Sequence, residues 1–208
     1  MLIAGAKGHA KEILDLLKGD DDALCFFDNI SDPSPEKLYS RYKILRTKEE
    51  VVKYFKTDNR FAIGVGNPIA RFELSKLLKN FGGELTSVIS KFSLIGSHGI
   101  SLGKGLNLMH HTLISNDVSI GEGTLINTAA TIHHDSCIGK YCDISPGARI
   151  LGGVKIGNFC SIGSGAIVLP KIKIGNNVIV GAGAVVNKNL RDNCTAFGVP
   201  VKIIKMHE

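Results

Sequence analysis

A short polar run, Thr131-Ile132-His133-His134-Asp135, carries side chains that could move a proton near neutral pH. A histidine that donates one ring N–H to a carboxylate can accept a proton on its other nitrogen. Such a pair suits transfer of an acyl group from a thioester to an amine or a hydroxyl, because the acceptor must lose a proton. By sequence alone, a polar corner between two strands is the commoner explanation of such a run.

A metal site is not predicted. The pair His110-His111 lies 24 residues upstream of His134-Asp135, and this spacing gives no reason for the two pairs to converge on one ion. The five cysteines form no CxxC pair. Two of them, Cys142 and Cys160, are expected to stack as buried small residues in a reducing compartment.

A second candidate for chemistry is the glycine turn Gly5-Ala6-Lys7-Gly8-His9, which follows a short apolar strand, Leu2–Ala4, and precedes a helical pattern. Free N–H groups and the dipole at a helix N-terminus favour phosphate groups. The turn is not the GxGxxG fingerprint of dinucleotide-binding proteins, so taken alone it is a weak signal.

The largest element is defined by a repeat of six residues. From Leu102 to Val186, every sixth residue is a branched aliphatic, and a glycine follows it every eighteen residues from Gly103 to Gly175. Two residues before each aliphatic the side chain is mostly small or β-branched. A step of six leaves no room for a crossover helix, so these periods predict a coil of short parallel strands with three sides.

The first part of the chain reads as a separate α/β unit with a short parallel sheet. We predict two domains, residues 1–88 and 89–208, with residues 31–46 of the first irregular. The other predicted elements of the first domain are a helix after Gly8, strand Leu24–Phe27, helix Glu49–Phe55, strand Arg60–Val65, a helix from Pro68 to about Lys79, and strand Leu85–Ile89.

The composition limits the classes of molecule that the chain is expected to bind. The chain has 208 residues, with 25 Lys and Arg against 19 Asp and Glu, a net charge of +6 that suits anionic small molecules and is also ordinary. Basic residues do not cluster with aromatic ones, so no nucleic-acid partner is expected. No apolar run reaches the roughly 20 residues that span a bilayer. The start MLIAGAKGHA does not read as a signal peptide, and a cytoplasmic protein is expected.

The hexad repeat, over about residues 90–202, resembles that of the hexapeptide-repeat acyltransferases, whose fold is a left-handed parallel β-helix. Together with the glycine turn, it resembles the nucleotide-sugar acetyltransferases of bacterial glycan synthesis, including sialic acid O-acetyltransferases and amino-sugar N-acetyltransferases. The resemblance implies the handedness, which spacing cannot show. It also implies a nucleotide-sugar substrate, acetyl-CoA as cosubstrate and a homotrimer.

The resemblance also implies roles for particular residues. His134 takes the place of the general base and Asp135 the place of the acid that supports it. Where some members carry a second histidine beside the thioester, this chain has Asp143. The implied substrate-binding residues are Gly5, Gly8, His9, Asp28, Gly66, Asn67 and Asn127, and the implied coenzyme-binding residues are Asp143, Gly147, Gly198 and Lys202.

The function expected on these grounds is acetyl-CoA-dependent acetylation of the amine of a nucleotide-linked amino-deoxysugar. The alternatives are O-acetylation of a sialic acid or related sugar, and a β-helix protein that binds sugar nucleotides without catalysis. Because one prism offers only flat sides, we expect each site to lie between two chains. It would combine His134 of one chain with the Gly198–Lys202 tail of the next.

Overall fold

The computed structural model describes residues 1–17, 24–31 and 36–207. An α/β unit comes first, with a sheet in the order β3-β4-β2-β1-β5-β6. Strand β1 pairs in parallel with both β2 and β5, as the predicted strand-turn-helix-strand start requires. The strands are β1 (Leu2–Ala4), β2 (Cys25–Phe27), β3 (Lys37–Leu38), β4 (Tyr42–Leu45), β5 (Arg60–Ile63) and β6 (Glu84–Leu85).

Three helices accompany this sheet: α1 (Gly8–Leu16), α2 (Lys48–Phe55) and α3 (Pro68–Asn80). Helix α2 begins with a capping box, in which the Thr47 hydroxyl accepts from the Glu50 N–H and the Glu50 carboxylate accepts from the Thr47 N–H. Proline at the first position of α3 fixes a helical φ and removes an N–H that would have no partner there.

The prediction that residues 31–46 are irregular is wrong for the described part of that segment. Strands β3 and β4 form an antiparallel hairpin whose turn residues, Tyr39 and Ser40, have φ of 51° and 56°. Hairpin turns of this kind normally take Asn or Gly, which tolerate positive φ. Because neither is present, the sequence lacks the usual turn signal. Residues 32–35 lie outside the described residues.

The rest of the chain is a three-sided parallel β-helix. Its first face contains β7 (Val88–Ile89), β10 (Asn107–Leu108), β13 (Leu125–Ile126), β16 (Asp143–Ile144), β19 (Ser161–Ile162), β22 (Ile179–Val180), β24 (Cys194–Phe197) and β25 (Lys202–Met206). Its second face contains β8 (Leu94–Ile95), β11 (Leu113–Ile114), β14 (Thr131–Ile132), β17 (Arg149–Ile150), β20 (Ile167–Val168) and β23 (Val185–Val186). Its third face contains β9 (Ser101–Leu102), β12 (Ser119–Ile120), β15 (Cys137–Ile138), β18 (Lys155–Ile156) and β21 (Lys173–Ile174).

The predicted six-residue period is confirmed, since each aliphatic of the repeat is the second residue of a two-residue strand and points inward. From Ile114 to Val186 these side chains are at most 4% exposed. Burying each one contributes about 1.5–3 kcal/mol. The β-helix begins with β7 and β8, before the first residue of the six-residue repeat. The step from Ile95 to Leu102 is seven residues instead of six, so a strict six-residue count does not detect these two strands.

The change from one unit to the other falls between β6, which pairs with β5, and β7, which pairs with β10 of the coils. The division after residue 88 itself stays a prediction. Cys142 and Cys160 are free and buried on successive coils, as expected, and their thiols donate to the carbonyls of Gly157 and Gly175 at 3.1 and 3.0 Å. Among the described residues, no helix has the length and apolar character needed to cross a membrane.

Each coil turns three times, and most of the turns place one residue in the left-handed region of φ. We call the turns between the first and second faces the first corner, those between the second and third faces the second corner, and those between the third and first faces the third corner. The residues with positive φ are His111, Ala129, Gly147, Gly165 and Gly183 at the first corner, Asp117, Asp135, Gly153 and Lys171 at the second, and Gly105, Gly123, Tyr141, Phe159 and Asn177 at the third.

Candidate active site

His134 and Asp135 form a hydrogen-bonded pair at the second corner, directly after strand β14. The His134 Nδ1 lies 2.7 Å from Asp135 Oδ2, and both side chains are 66% exposed. Asp135 has a φ of 60°, and this left-handed turn lets its carboxylate meet the ring of the preceding residue. With Nδ1–H donating to the carboxylate, the His134 Nε2 is left as the proton acceptor, directed away from Asp135.

Gly152 lies one coil beyond His134 at the same corner, and the imidazole covers it. A Cβ added at Gly152 would lie 2.6 Å from both Cε1 and Nε2 of His134. The His134 ring can therefore occupy this position only because Gly152 has no side chain. Sequence reasoning missed this residue, although Gly152 lies eighteen residues after His134, one full period of the repeat.

Replacing Gly152 with alanine should push the His134 ring off its present position, because an added Cβ cannot lie 2.6 Å from ring atoms. We expect the turnover number to fall by about 10²-fold, the effect of a misplacement of about 1 Å, with little change in substrate affinity. Steady-state kinetics test this. Gly165→Ala is the control, since its φ of 66° imposes backbone strain while its added Cβ meets nothing within 4 Å. Equal losses in both variants would show a general effect on the coil.

The second candidate site is a pocket of about 340 Å³ in the α/β unit. It lies at the carboxyl ends of β1, β2 and β5, where the chain changes direction across the sheet. This edge is where open parallel sheets bind ligands. Five of the predicted substrate-binding residues lie together in its wall: Gly5, Gly8, His9, Asp28 and Gly66.

The glycines of this pocket have different roles. Gly5 has a φ of 113°, and a Cβ there would lie 2.9 Å from the Gly64 carbonyl oxygen, so the position requires glycine for packing. Gly8 is the first residue of α1, and a Cβ there would meet nothing within 4 Å. Open space at a helix N-terminus, beside N–H groups without intrahelical partners, suits a phosphate group.

Asp28 closes the turn after β2. Its Oδ1 accepts from the N–H groups of Ile30 and Ser31 at 3.1 and 3.0 Å. Burial would raise the pKa of Asp28, but the hydrogen bonds from Ser31 and Ile30 hold the pKa below its ordinary value. The carboxylate is therefore ionised near neutral pH, and it shapes the pocket wall through this turn.

Two of the predicted substrate-binding residues lie outside the pocket wall. Asn67 caps α3, where its Oδ1 accepts from the Ala70 N–H at 3.0 Å. Asn127 lies at the first corner after β13, and its Oδ1 accepts from the Thr128 N–H at 2.8 Å. Both amides serve local turns, and a role in substrate binding stays a prediction.

The predicted coenzyme-binding residues are dispersed over the β-helix. Asp143 lies on the first face, half-buried, and burial raises its pKa to about 6, although the Ser145 hydroxyl, which donates to Oδ2 at 3.0 Å, and the charge of Arg71 oppose the shift. Gly147 lies at the first corner. Gly198 follows β24, and Lys202 is exposed in β25. Their contact with a coenzyme stays a prediction.

The two candidate sites lie on different sides of the prism. Helix α3 packs on the third corner, where the Phe72 ring meets Tyr141 and Phe159 at centroid distances of 5.3 and 5.6 Å. His134 lies at the second corner, across the third face. His134 is not among the residues that line the pocket at the glycine turn of α1.

No group of three or more His, Cys, Asp or Glu side chains with the arrangement of a metal site occurs in the described ranges. His110, in the second pair of histidines, is engaged elsewhere, with Nδ1 2.6 Å from the Ser90 hydroxyl.

Comparison with known proteins agrees with both units. Residues 1–78 match the PglD N-terminal domain family, and residues 153–188 match the bacterial transferase hexapeptide (six repeats) family. No match was found among curated proteins. PerB from Caulobacter crescentus, solved in complex with CoA and GDP-perosamine, is 30% identical with a TM-score of 0.88, over 98% of this chain and 96% of that one.

Two further solved structures align over 98% of both chains. WeeI from Acinetobacter baumannii is 27% identical with a TM-score of 0.88. The acetyltransferase domain of PglB from Neisseria gonorrhoeae, solved with acetyl coenzyme A, is 26% identical with a TM-score of 0.86. These matches confirm the left-handed sense of the coil and define the class, a left-handed β-helix transferase with an α/β domain before it. The chain belongs to the hexapeptide-repeat nucleotide-sugar acetyltransferases.

Proposed function

We propose that this chain transfers the acetyl group of acetyl-CoA to the amine of a nucleotide-linked amino sugar, with His134 as the general base. The observation that carries the proposal is the exposed His134–Asp135 pair, whose Nδ1–Oδ2 distance of 2.7 Å orients the ring with Nε2 free to accept a proton. The structures of PerB with CoA and GDP-perosamine and of PglB with acetyl coenzyme A support these two substrate classes.

The chemistry follows from this geometry. The sugar amine attacks the thioester carbonyl, so that a C–N bond forms while His134 Nε2 takes the proton that the nitrogen loses. Asp135 stabilises the imidazolium, since its carboxylate faces Nδ1–H. When the C–S bond breaks, the imidazolium returns the proton to the leaving sulfur. The products are the amide and CoA, and the histidine ends in its starting form.

The pocket at the start of α1 holds the nucleotide diphosphate in this proposal. Its support is the open space at Gly8 and the N–H groups of the first helical turn. We locate the reaction in the cytoplasm, where acetyl-CoA is available.

Gly8→Val should weaken binding of the nucleotide sugar and leave affinity for acetyl-CoA unchanged. A Cβ at this position has no heavy atom within 4 Å and projects into open space in the pocket, so the fold should be retained. Calorimetric titration with each ligand tests this, and Lys11→Val, on the exposed side of the same helix, is the control. Equal loss of both ligands, or loss of neither, would count against the assignment.

The homotrimer is also proposed, and the second face supports it. The outward side chains of that face are largely apolar, and each of them is half-buried or exposed in the single chain. The outward residues are Leu94, Leu113, Thr131, Arg149, Ile167 and Val185. The third face, by contrast, presents Ser101, Ser119, Cys137, Lys155 and Lys173.

Three prisms that meet through their second faces would close around a threefold axis. In that arrangement the second corner of one chain lies beside the neighbouring chain, and a groove forms next to His134. We propose that the tail from Gly198 to Lys202, which includes the exposed Val199, lines this groove for the coenzyme. A shared groove accounts for the separation of His134 from the nucleotide pocket within one chain.

The amine specificity is tested by acetyl-CoA turnover across nucleotide amino sugars that carry different bases, with sialic acid as the hydroxyl acceptor. Turnover with an amino sugar and none with sialic acid is the expected result. The reverse result would assign the chain to O-acetylation. Absence of turnover with every acceptor, in a protein that binds the nucleotide sugar, would favour a binding protein without catalysis.

A further inference from the structure

Arg71, on helix α3, is fully buried where the α/β unit meets the β-helix. Its Nε donates to the Gly123 carbonyl at 2.7 Å and its Nη2 to Asn107 Oδ1 at 2.6 Å, both acceptors being in the β-helix. Its Nη1 donates to the Val65 carbonyl at 2.7 Å, in the loop that follows β5. One guanidinium therefore joins both units of the chain.

Arg71 has two acceptors in the α/β unit, and the nearer one, the Val65 carbonyl, belongs to the nucleotide pocket. The other is the Ile63 carbonyl, 3.4 Å from Nη1. Val65 lies between Gly64 and Gly66, and all three line the pocket wall. His9, in the opposite wall of the pocket, lies close enough to Arg71 for the guanidinium charge to act on its ring. Its Nδ1 lies 3.2 Å from Glu12 Oε2, and its Nε2 is buried. Burial, and then the charge of Arg71, lower the pKa of His9, so its ring is neutral beside the guanidinium.

Arg71 has no carboxylate within ion-pair distance among the described residues, so its contacts are with neutral acceptors. Asp143 is the acidic group whose charge acts on it, without a direct contact. Burial lowers the pKa of Arg71 to about 10, and the side chain is still charged near neutral pH. A fully buried charge is retained where its hydrogen bonds are satisfied, and a planar fork can satisfy acceptors in several directions.

We propose that Arg71 is a positioning residue for the acetyl transfer, which holds the pocket loop Gly64–Gly66 and the β-helix in one fixed register. The inference rests on the proposed function, because it assigns the register to the nucleotide sugar that must reach the acetyl group. Sequence reasoning missed Arg71, although the buried stripe of α3, which contains Pro68, Arg71, Ser75 and Leu78, places an arginine at a position typical of an apolar residue.

The test compares Arg71→Met and Arg71→Lys in the full-length protein. Binding of GDP, UDP and dTDP and of CoA is measured by calorimetry, and the acetyl transfer by steady-state kinetics. Arg71→Met should weaken binding of whichever nucleotide the wild-type protein binds by about 10²-fold, or raise the KM for the corresponding nucleotide sugar by the same factor. Displacement of the pocket loop would have this effect. Affinity for CoA should be unchanged. The aromatic contact of Phe72 with Tyr141 keeps α3 on the β-helix, so circular dichroism should show an intact fold.

Arg71→Lys separates position from charge. A lysine ammonium keeps the charge but cannot reach acceptors in both units, so nucleotide binding should remain weak. Full recovery with lysine would show that charge alone matters and would overturn the proposal. The matched control is Lys79→Met on the same helix, which removes a half-exposed pair with Glu122 and should change either affinity by no more than about twofold.

If Arg71→Met does not fold, Asn107→Leu gives the same test from the β-helix side. It removes the Oδ1 acceptor while keeping the branched shape of a fully buried side chain, and the same selective loss of nucleotide binding is expected. Equal weakening of nucleotide and CoA, or no weakening of either, would overturn the inference alone. A wild-type protein that binds none of the three nucleotides would overturn the proposed function with it.

Discussion

Substituting His134 with alanine should lower the turnover number by about 10²–10⁴-fold, the range for a positioned general base. The pair is exposed, and its one hydrogen bond within the pair is to Asp135, so the fold should not depend on the ring. Affinities for the nucleotide sugar and for acetyl-CoA should therefore change little. Stopped assays of amide formation, with calorimetry for each ligand, measure both quantities.

His133→Ala is the matched control, because it removes the neighbouring imidazole, which is less exposed and lies at the start of the same corner. Its effect on turnover should be far smaller. If instead His133→Ala caused the large loss and His134→Ala the small one, His133 and not His134 would be the general base. Comparable losses in both variants would indicate damage to the corner and would not identify a base.

Replacing Ile167 with glutamate should convert the proposed trimer into monomers and abolish turnover. Ile167 points outward from the apolar second face, so glutamates would meet one another or apolar side chains at the proposed subunit contact. Burial of an unpaired carboxylate is strongly unfavourable. Light scattering gives the mass of the assembly, and the same sample gives its turnover.

Lys173→Glu, an outward and exposed change on the third face, should leave both the mass and the turnover as they are. A trimeric and active Ile167→Glu protein would show that the second face is not the contact between subunits. A monomer with full activity would have a different meaning, since it would place the whole catalytic groove within one chain.

The periodic part of the fold could be predicted because one constraint recurs at every coil. Each inward aliphatic, such as Ile132 or Ile150, must fill the same prism, so the sequence repeats the constraint often enough to be recognised. The hairpin at Tyr39-Ser40 could not be predicted in this way, since its turn residues are not those that positive φ favours. The seven-residue step before Leu102 hid one coil for a similar reason.

Some residues of the candidate sites could be predicted from local sequence patterns, and others could not. The pocket residues Gly5, Gly8 and Asp28 follow strands whose ends meet at one sheet edge, so local patterns were sufficient to group them. Arg71 and Gly152 act through contacts with residues distant in sequence. A buried arginine on α3 acquires its meaning only when Gly123 and Asn107 are known to face it. No local pattern carries that information.

The stacking of coils fixes distance along the prism as well as shape. In the first face β24 lies four strands beyond β13, the strand that belongs to the coil of His134. At about 4.8 Å per strand, the tail is about 19 Å from the coil of His134 along the axis. In the proposed arrangement, the number of coils between His134 and the tail Gly198–Lys202 therefore sets the length of the thioester carrier that fits the groove. Gain or loss of one eighteen-residue coil between them would change that length in a single step, with the chemistry at His134 left as it is.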